Sequence, residues 1–292
     1  MTKISVITAS YNYEEYIKET IESVINQTYK DWEMIVVDDG SKDNSVEVIK
    51  SYCKKDERIK LLQHEGGINK GLVETIKLGT KEAKGEWLVF LESDDTITSD
   101  YMEEKLKIVQ ENPQVKFIFN DVNLFGEETA AKEMYNDYFI EFYETMAKIK
   151  TRKDYIREFR TKNIVPTFSV VMLKKDIFET LKFDSSVNQW VDYYLWTQLA
   201  PKYDFYYLPK KLTNWRMHKS SYNNRKTSSY KGVEFLDIQI ADNLSMGKYK
   251  FWHRLRAIPL YIRAFKRKFI RIHPKDNEII IMGKSYKIKK EK

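Results

Sequence analysis

Over the first 120 residues the chain switches repeatedly between two hydrophobic periods. Ile4–Thr8, Trp32–Val37, Ile59–Gln63, Glu86–Leu91 and Val115–Asn120 are short apolar runs rich in β-branched and aromatic residues. They have the length and composition of buried strands. Between them, apolar residues recur every three or four positions. Glu14–Gln27 places Ile17, Ile21, Val24 and Ile25 on one helical face. Ser45–Cys53 follows the cap-like Asp43 and Asn44, Asn69–Ala83 closes at Lys84-Gly85, and Ser99–Glu111 ends at Asn112-Pro113. Strands alternating with helices of this length predict an α/β fold: a mostly parallel sheet, helices on both faces and right-handed crossovers.

Beyond Asp121 the alternation fades. Residues 127–163 are rich in Tyr, Phe, Lys and Glu without a clear period. A strand-like Thr167–Leu173 follows, then helical patterns over Lys175–Leu181 and Trp190–Ala200, a strand at Phe205–Leu208 and a polar, loop-like Ser220–Ser229. From Phe251 the residues Leu255, Ile258, Ile262, Phe265, Phe269 and Ile272 step by threes and fours, with Arg254, Arg256, Arg263, Lys266, Arg267 and Arg271 between them. This predicts a basic amphipathic helix over 251–272, kinked or split at Pro259. Glu278–Lys289 reads as a hairpin turning at Met282-Gly283.

Charge sharpens the division. The net charge is +7, but Lys248–Lys292 holds 15 Lys/Arg against 3 Asp/Glu, a balance of +12, which leaves residues 1–247 at −5. A basic tail points to an anionic partner. Two readings of 251–272 stay open: its apolar stripe packs on the body of the protein, or it lies in a membrane interface with its cations toward anionic headgroups. No aromatic-basic module of a nucleic-acid binder is visible, so no nucleic acid is expected. No apolar stretch approaches a membrane span. The lone Cys53 excludes an internal disulfide framework and fits a reducing compartment. The N-terminus runs straight into a strand-like segment rather than a signal peptide. These readings place the protein in the cytoplasm, peripheral to the inner face of the membrane if the helix binds lipid.

Candidate chemistry sits where the apolar runs stop. Met34–Val37 ends at Asp38-Asp39-Gly40-Ser41, and Trp87–Leu91 at Glu92-Ser93-Asp94-Asp95. Ligands of open α/β sheets bind outside the carboxyl ends of the strands. Carboxylates gathered there repel one another unless a cation joins them. The pattern predicts a pocket for a divalent metal and a phosphate-bearing ligand. Each cluster taken alone is also ordinary turn or helix-capping chemistry.

Several segments, in order, resemble the family 2 glycosyltransferases: Ser5-Val6-Ile7-Thr8-Ala9-Ser10-Tyr11-Asn12, Ile21–Thr28, Val36-Val37-Asp38-Asp39-Gly40-Ser41-Lys42-Asp43-Asn44 and Phe90-Leu91-Glu92-Ser93-Asp94-Asp95. The resemblance covers roughly residues 3–220. It implies an inverting enzyme with a GT-A-type, Rossmann-like fold that uses a nucleotide sugar. Thr8, Ala9 and Tyr11 would line the base pocket, and Asn69 belongs to an Asn-x-Gly stretch of the nucleotide site. Asp39 would accept the N3–H of a uracil or thymine, a role suited to an acceptor-only carboxylate. Asp94 would face ribose or metal and Asp95 metal, with Mg²⁺ or Mn²⁺ as the ion. Arg216 and His218, in Trp215-Arg216-Met217-His218, would face diphosphate and metal. Asp192 matches the second acid of the family's catalytic pair and would be the general base. Trp190, Tyr193 and Trp196 beside it would stack on acceptor sugars.

The resulting expectation is a hexosyl- or N-acetylhexosaminyltransferase that moves a sugar from a UDP- or dTDP-linked donor to a saccharide or lipid-linked acceptor in cell-surface glycan synthesis. Residues 1–225 would form the catalytic domain, divided into a nucleotide-sugar half (1–122) and an acceptor half (123–225). Residues 226–292 would be a basic helical extension. The chain departs from the family at Ala9, Thr75, Lys77, Glu92 and Val191. These departures keep a rival in view, a catalytically weak nucleotide-sugar-binding or scaffold protein.

Overall fold

A computed structural model of the chain describes residues 3–127, 130–184, 190–218, 240, 243–244, 270–273, 278–281 and 284–287. The elements run β1 (Ile4–Ser10), α1 (Ile17–Ile25), β2 (Trp32–Asp38), α2 (Ser45–Cys53), β3 (Ile59–Gln63), α3 (Leu72–Glu82), β4 (Trp87–Phe90), β5 (Thr96–Ile97), α4 (Tyr101–Glu111) and β6 (Phe117–Gly126). There follow α5 (Ala130–Lys148), α6 (Arg152–Glu158), β7 (Val171–Lys174), α7 (Lys175–Phe178), α8 (Val191–Leu199) and β8 (Phe205–Met217). Near the C-terminus lie β9 (Ile270–His273), β10 (Glu278–Ile281) and β11 (Lys284–Lys287).

The main sheet has eight strands in the order β3-β2-β1-β4-β7-β6-β8-β5. β3, β2, β1 and β4 run parallel, with Ile4 opposite both Trp32 and Trp87. β7 lies antiparallel between β4 and β6, and β6 returns to a parallel pairing with β8. Strand residues point alternately to two cores, as their period of two requires. Ile4, Val6, Met34 and Val36 pack with Ile17, Ile21 and Val24 of α1 and Ile49 of α2. Ile7, Ile35 and Val37 pack with Val73 and Ile76 of α3, in one core with Phe117, Phe119 and Trp196.

The expected parallel sheet with helices on both faces is the architecture observed, and it is of the GT-A type. Four local expectations are corrected. Residues 127–163, which show no period, contain α5 and α6. Phe139, Phe142 and Met146 of α5 are buried, but polar residues fall among them and blur the stripe. The expected strand Thr167–Leu173 begins only at Val171, because residues 168–170 make a tight turn in which Thr167 accepts the backbone N–H of Ser169. β8 extends far beyond Leu208, as polar Lys210 and Lys211 are tolerated near the sheet edge. Finally, the basic helix was expected to run through Ile272, but Ile270–His273 is a strand, in line with its alternation of apolar and basic residues. The rest of that expected helix, 251–269, and the loop 220–229 lie outside the described residues. β10 and β11 pair antiparallel with Ile281 opposite Lys284, in line with the hairpin pattern.

Candidate active site

The carboxyl ends of β1, β2 and β4 meet at one edge of the sheet. After β2 the chain turns sharply. Asp38 Oδ1 accepts the backbone N–H groups of Gly40 and Ser41, both at 3.2 Å. Gly40 has φ +80°, and a Cβ there would stand 2.8 Å from the Gly67 carbonyl oxygen and 2.9 Å from the Asn69 nitrogen. Glycine is therefore required where segment 67–69 crosses the turn. Across this crossing Asp39 accepts the N–H groups of Lys70 at 2.7 Å and Gly71 at 2.9 Å, one on each carboxylate oxygen. His64 Nε2 lies 3.5 Å from the same carboxylate and 3.1 Å from Thr75 Oγ1. Asp39 thus pins the start of α3, and each oxygen keeps a second lone pair for a ligand donor. Ala9 and Tyr11 are half-buried beside this turn and Asn69 is exposed. Thr8 differs from expectation: it is fully buried, on the face that packs against α1 and α2, and presents no side chain to a ligand.

The second acidic cluster is built on β4. Asp95 is completely buried. Its Oδ1 accepts the Arg216 backbone N–H at 2.9 Å and its Oδ2 accepts the Ser169 hydroxyl at 2.6 Å. The same Ser169 hydroxyl accepts the Glu92 N–H at 3.0 Å, so one oxygen ties both ends of the motif. Glu92 accepts the Thr167 hydroxyl at 2.5 Å. Asp94 Oδ2 lies 2.9 Å from His218 Nε2. Arg216 donates through Nε to the Asp94 carbonyl at 2.8 Å and through a terminal nitrogen to Glu19 at 2.5 Å. Burial, together with the neighbouring Asp94, pushes the Glu92 carboxyl up to about 8. Asp95 is also raised, by burial and by repulsion from Asp94 and Glu92. Both shifts favour the neutral acids in the protein alone, and a bound cation would favour their charged forms.

Whether these residues suit a divalent ion can be read from their donors. Asp94 and His218 set a carboxylate and an imidazole side by side, both competent ligands for Mn²⁺. Asp95 turns both oxygens onto protein donors, and each oxygen keeps one further lone pair. Among the described residues no three acidic, His or Cys side chains form a metal cage. Ions of this kind are commonly held by one or two carboxylates plus substrate phosphates. The donor set fits that mode.

Asp192 opens α8. Its Oδ2 accepts the Asn163 side-chain amide at 2.8 Å. Part of its surface still meets solvent. It is nonetheless packed closely enough that desolvation raises the carboxyl to about 6, against the hydrogen bonds that lower it. Asn163, which holds Asp192, and Thr167, which holds Glu92, belong to one short segment, so the third acid, distant in sequence, lies toward the second cluster in space. The aromatic neighbours divide. Trp190 is 42% exposed. Tyr193 is buried and donates its hydroxyl to the Phe159 carbonyl at 2.6 Å. Trp196 is fully buried, with ring centroids 5.0 Å from Phe117 and 5.5 Å from Phe168. Stacking of Trp196 on a sugar is therefore corrected: the helix turns that ring into the core. Ser169, Thr167 and Asn163 were not singled out from sequence, although Thr167 and Ser169 stand out as polar residues in a strand-like run. A groove of about 490 Å³ lined by His64, Lys70, Lys77, Lys81 and Lys175 contains none of Glu92, Asp94, Asp95 or Asp192.

The model of glycosyl transferase family 2 matches residues 5–181, more than half of the chain and both acidic strand ends. The chain belongs to glycosyl transferase family 2. This family 2 chain is 36% identical over 125 residues to TuaG of Bacillus subtilis, a candidate teichuronic acid biosynthesis glycosyltransferase; the match covers 43% of this chain and 48% of TuaG. For four curated relatives it spans 33% to 70% of their length. Among solved structures it resembles residues 1–349 of S. aureus TarS in complex with UDP-GlcNAc, at TM-score 0.68 and 18% identity over 91% of this chain and 73% of that one. It also resembles Mycobacterium tuberculosis glucosyl-3-phosphoglycerate synthase bound to Mn²⁺, UDP and phosphoglyceric acid, at TM-score 0.56 and 13% identity over 82% and 78%. No described helix is long and apolar enough to cross a membrane.

Proposed function

We propose that this family 2 chain is an inverting glycosyltransferase that moves a sugar from a UDP- or dTDP-linked donor to a saccharide or lipid-linked acceptor in cell-surface glycan synthesis. The observation that carries this reading is that one segment, 163–167, holds both Asp192, through Asn163, and Glu92, through Thr167, which brings the third acid toward the cluster that follows β4. Asp39 offers its remaining lone pairs to the base, with Ala9 and Tyr11 alongside. Asp94, His218 and Asp95 would hold Mg²⁺ or Mn²⁺ together with the donor phosphates. The bound ion supplies Lewis-acid stabilisation of the departing diphosphate. The neighbouring proteins crystallised with UDP-GlcNAc, and with UDP and Mn²⁺, support the donor class and the metal.

In the transfer the acceptor hydroxyl attacks the anomeric carbon. Its proton passes to Asp192, the bond to the diphosphate oxygen breaks, and the diphosphate leaves with the electron pair. Attack opposite the leaving group inverts the centre, so an α-linked donor gives a β product. Trp190, exposed beside Asp192, would stack on the acceptor sugar. The basic segment 251–272 is offered to an anionic membrane surface, where a lipid-linked acceptor would reside.

The test is a panel of UDP- and dTDP-sugars with Mn²⁺ and lipid-extract or oligosaccharide acceptors. One donor is expected to turn over, and Asp192→Asn is expected to abolish transfer while UDP binding persists. No turnover with any donor, with metal-independent UDP binding, would favour the non-catalytic rival. Full activity in Asp192→Asn would remove the proposed base.

A further inference from the structure

Resting on the reading of Asp192 as base, we infer that Asn163 is a positioning residue for the reaction, fixing the orientation and ionisation of the Asp192 carboxylate from outside α8. Three contacts carry this. The Asn163 amide nitrogen donates to Asp192 Oδ2 at 2.8 Å. Its amide oxygen accepts the Val165 backbone N–H at 3.1 Å. Its backbone carbonyl accepts the Tyr138 hydroxyl at 3.2 Å. The second contact decides the first. A backbone N–H requires an acceptor, so the oxygen must face Val165 and the NH₂ must face Asp192. The amide cannot flip without losing both bonds.

The segment that carries Asn163 is itself held on several sides. Lys162 binds Glu141 at 2.5 Å and Thr145 Oγ1 at 2.9 Å, both on α5. Ile164 and Val165 are buried in the core. Tyr193, next to Asp192, bonds the Phe159 carbonyl at 2.6 Å and ties α8 to the same stretch. Asn163 thus transmits the position of α5 to the acid. Among the described residues, the charged and titratable groups that act on or feel Asp192 are Glu92, beyond β4, and Tyr138, on α5. Neither is a cation. The donors that favour the ionised acid are the Asp192 and Tyr193 backbone N–H groups and the Asn163 amide. Asn163 is the side-chain donor of that set.

The discriminating variant is Asn163→Ser. A serine hydroxyl can still accept the N–H two residues on, which preserves the turn at Val165. It is too short to reach Asp192. Wild type, Asn163→Ser, Asn163→Ala and Asp192→Asn are compared as full-length chains by thermal melting, by pH–rate profile and by ¹³C NMR titration of aspartate carboxyls, with Asp192→Asn identifying the Asp192 signal. Loss of a hydrogen bond to a charged group corresponds to a shift of about one to two pH units. The expected result is that Asn163→Ser melts near wild type, yet its acid limb and Asp192 titration move upward by about that much, with kcat falling more than the donor KM rises. Asn163→Ala should add a melting loss. An Asp192 titration in Asn163→Ser unchanged from wild type would overturn the inference, even if Asp192→Asn proves inactive. If Asp192→Asn stays active, the base reading falls, and the NMR titration still decides whether Asn163 holds the carboxylate.

Discussion

Ser169→Ala removes a single oxygen whose loss reaches both ends of the acidic motif. In the wild type that hydroxyl donates to Asp95 Oδ2 at 2.6 Å and accepts the Glu92 N–H at 3.0 Å. Its own backbone stays fixed without it, because the Ser169 carbonyl accepts hydroxyls from Tyr101 at 3.2 Å and Thr213 at 3.1 Å. The substitution therefore isolates the side chain. Ser169 and Asp95 are completely buried, so water cannot readily replace the lost partner. Two polar groups are left unpaired at about 1–3 kcal/mol each, and the void is smaller than a methyl group. The sum is about 2–4 kcal/mol after allowing for relaxation. For a chain of this size that corresponds to a fall in Tm of roughly 5–10 °C. Scanning calorimetry of Ser169→Ala against Ser51→Ala, a half-buried hydroxyl that bonds only Val48 O, measures it. The control should lose about 1 kcal/mol or less. UDP affinity in Mn²⁺ should also weaken, because Asp94 sits on the motif that Ser169 ties down. If Ser169→Ala melts within a degree of wild type and binds UDP–Mn²⁺ equally well, the hydroxyl does not organise the cluster and the reasoning fails.

Other substitutions probe separate points. With Asp192 raised to about 6 by burial, the base is ionised above that value, so transfer should be full near neutral pH and decline as pH falls through about 6; a rate profile flat down to pH 5 would contradict the assignment. Gly40→Ala forces a Cβ to within 2.9 Å of backbone atoms of segment 67–69 at a positive φ, and should cost about 2–4 kcal/mol in chemical denaturation, more than Gly66→Ala, where φ is similar at +75° but the Cβ meets only the Ile68 side chain at 3.9 Å. Lys105 is fully buried, donating to Tyr101 at 2.7 Å and to the Val170 carbonyl at 2.6 Å, and burial holds its ammonium well below the ordinary lysine range. The unfolded chain then binds the extra proton, so wild-type stability should gain on Lys105→Met as pH rises from 7 toward 10; a pH-independent difference would show that the amine is charged in the fold.

How much of this was legible in the sequence depends on period and on distance along the chain. β1, β2 and β4 are dense runs buried on both faces, and their ends announced Asp39 and Asp94–Asp95. α5 was hidden because Phe139, Phe142 and Met146 sit among Tyr, Glu and Lys, and its outward side carries apolar residues too, with Ile140 63% exposed. No single stripe survives such mixing. Trp196 misled for a related reason: position on a helix is read from sequence, but the direction that face turns is set by tertiary packing. The partners of the acids were beyond reach. Ser169 lies 74 residues from Asp95, and Asn163 lies 29 from Asp192. Only the sheet order, with β7 set between β4 and β6, brings the first pair together.

That same insertion bears on how the protein is made. β7 is hydrogen-bonded to β4 through Trp87 opposite Lys174 and to β6 through Phe117 opposite Leu173. A ribosome that has released only the first 127 residues has therefore produced β4 and β6 with no strand between them. Two apolar strand edges wait unpaired until β7 emerges, and β8 must follow before Asp95 receives the Arg216 N–H. Unpaired edges of this kind invite aggregation, and pairing across such sequence separations is slow. A boundary at residue 122 would fall inside β6 and would leave β4 and β6 without β7. Expression of 1–122 alone should yield insoluble material, and the acidic pocket comes into being only near the end of the domain's synthesis.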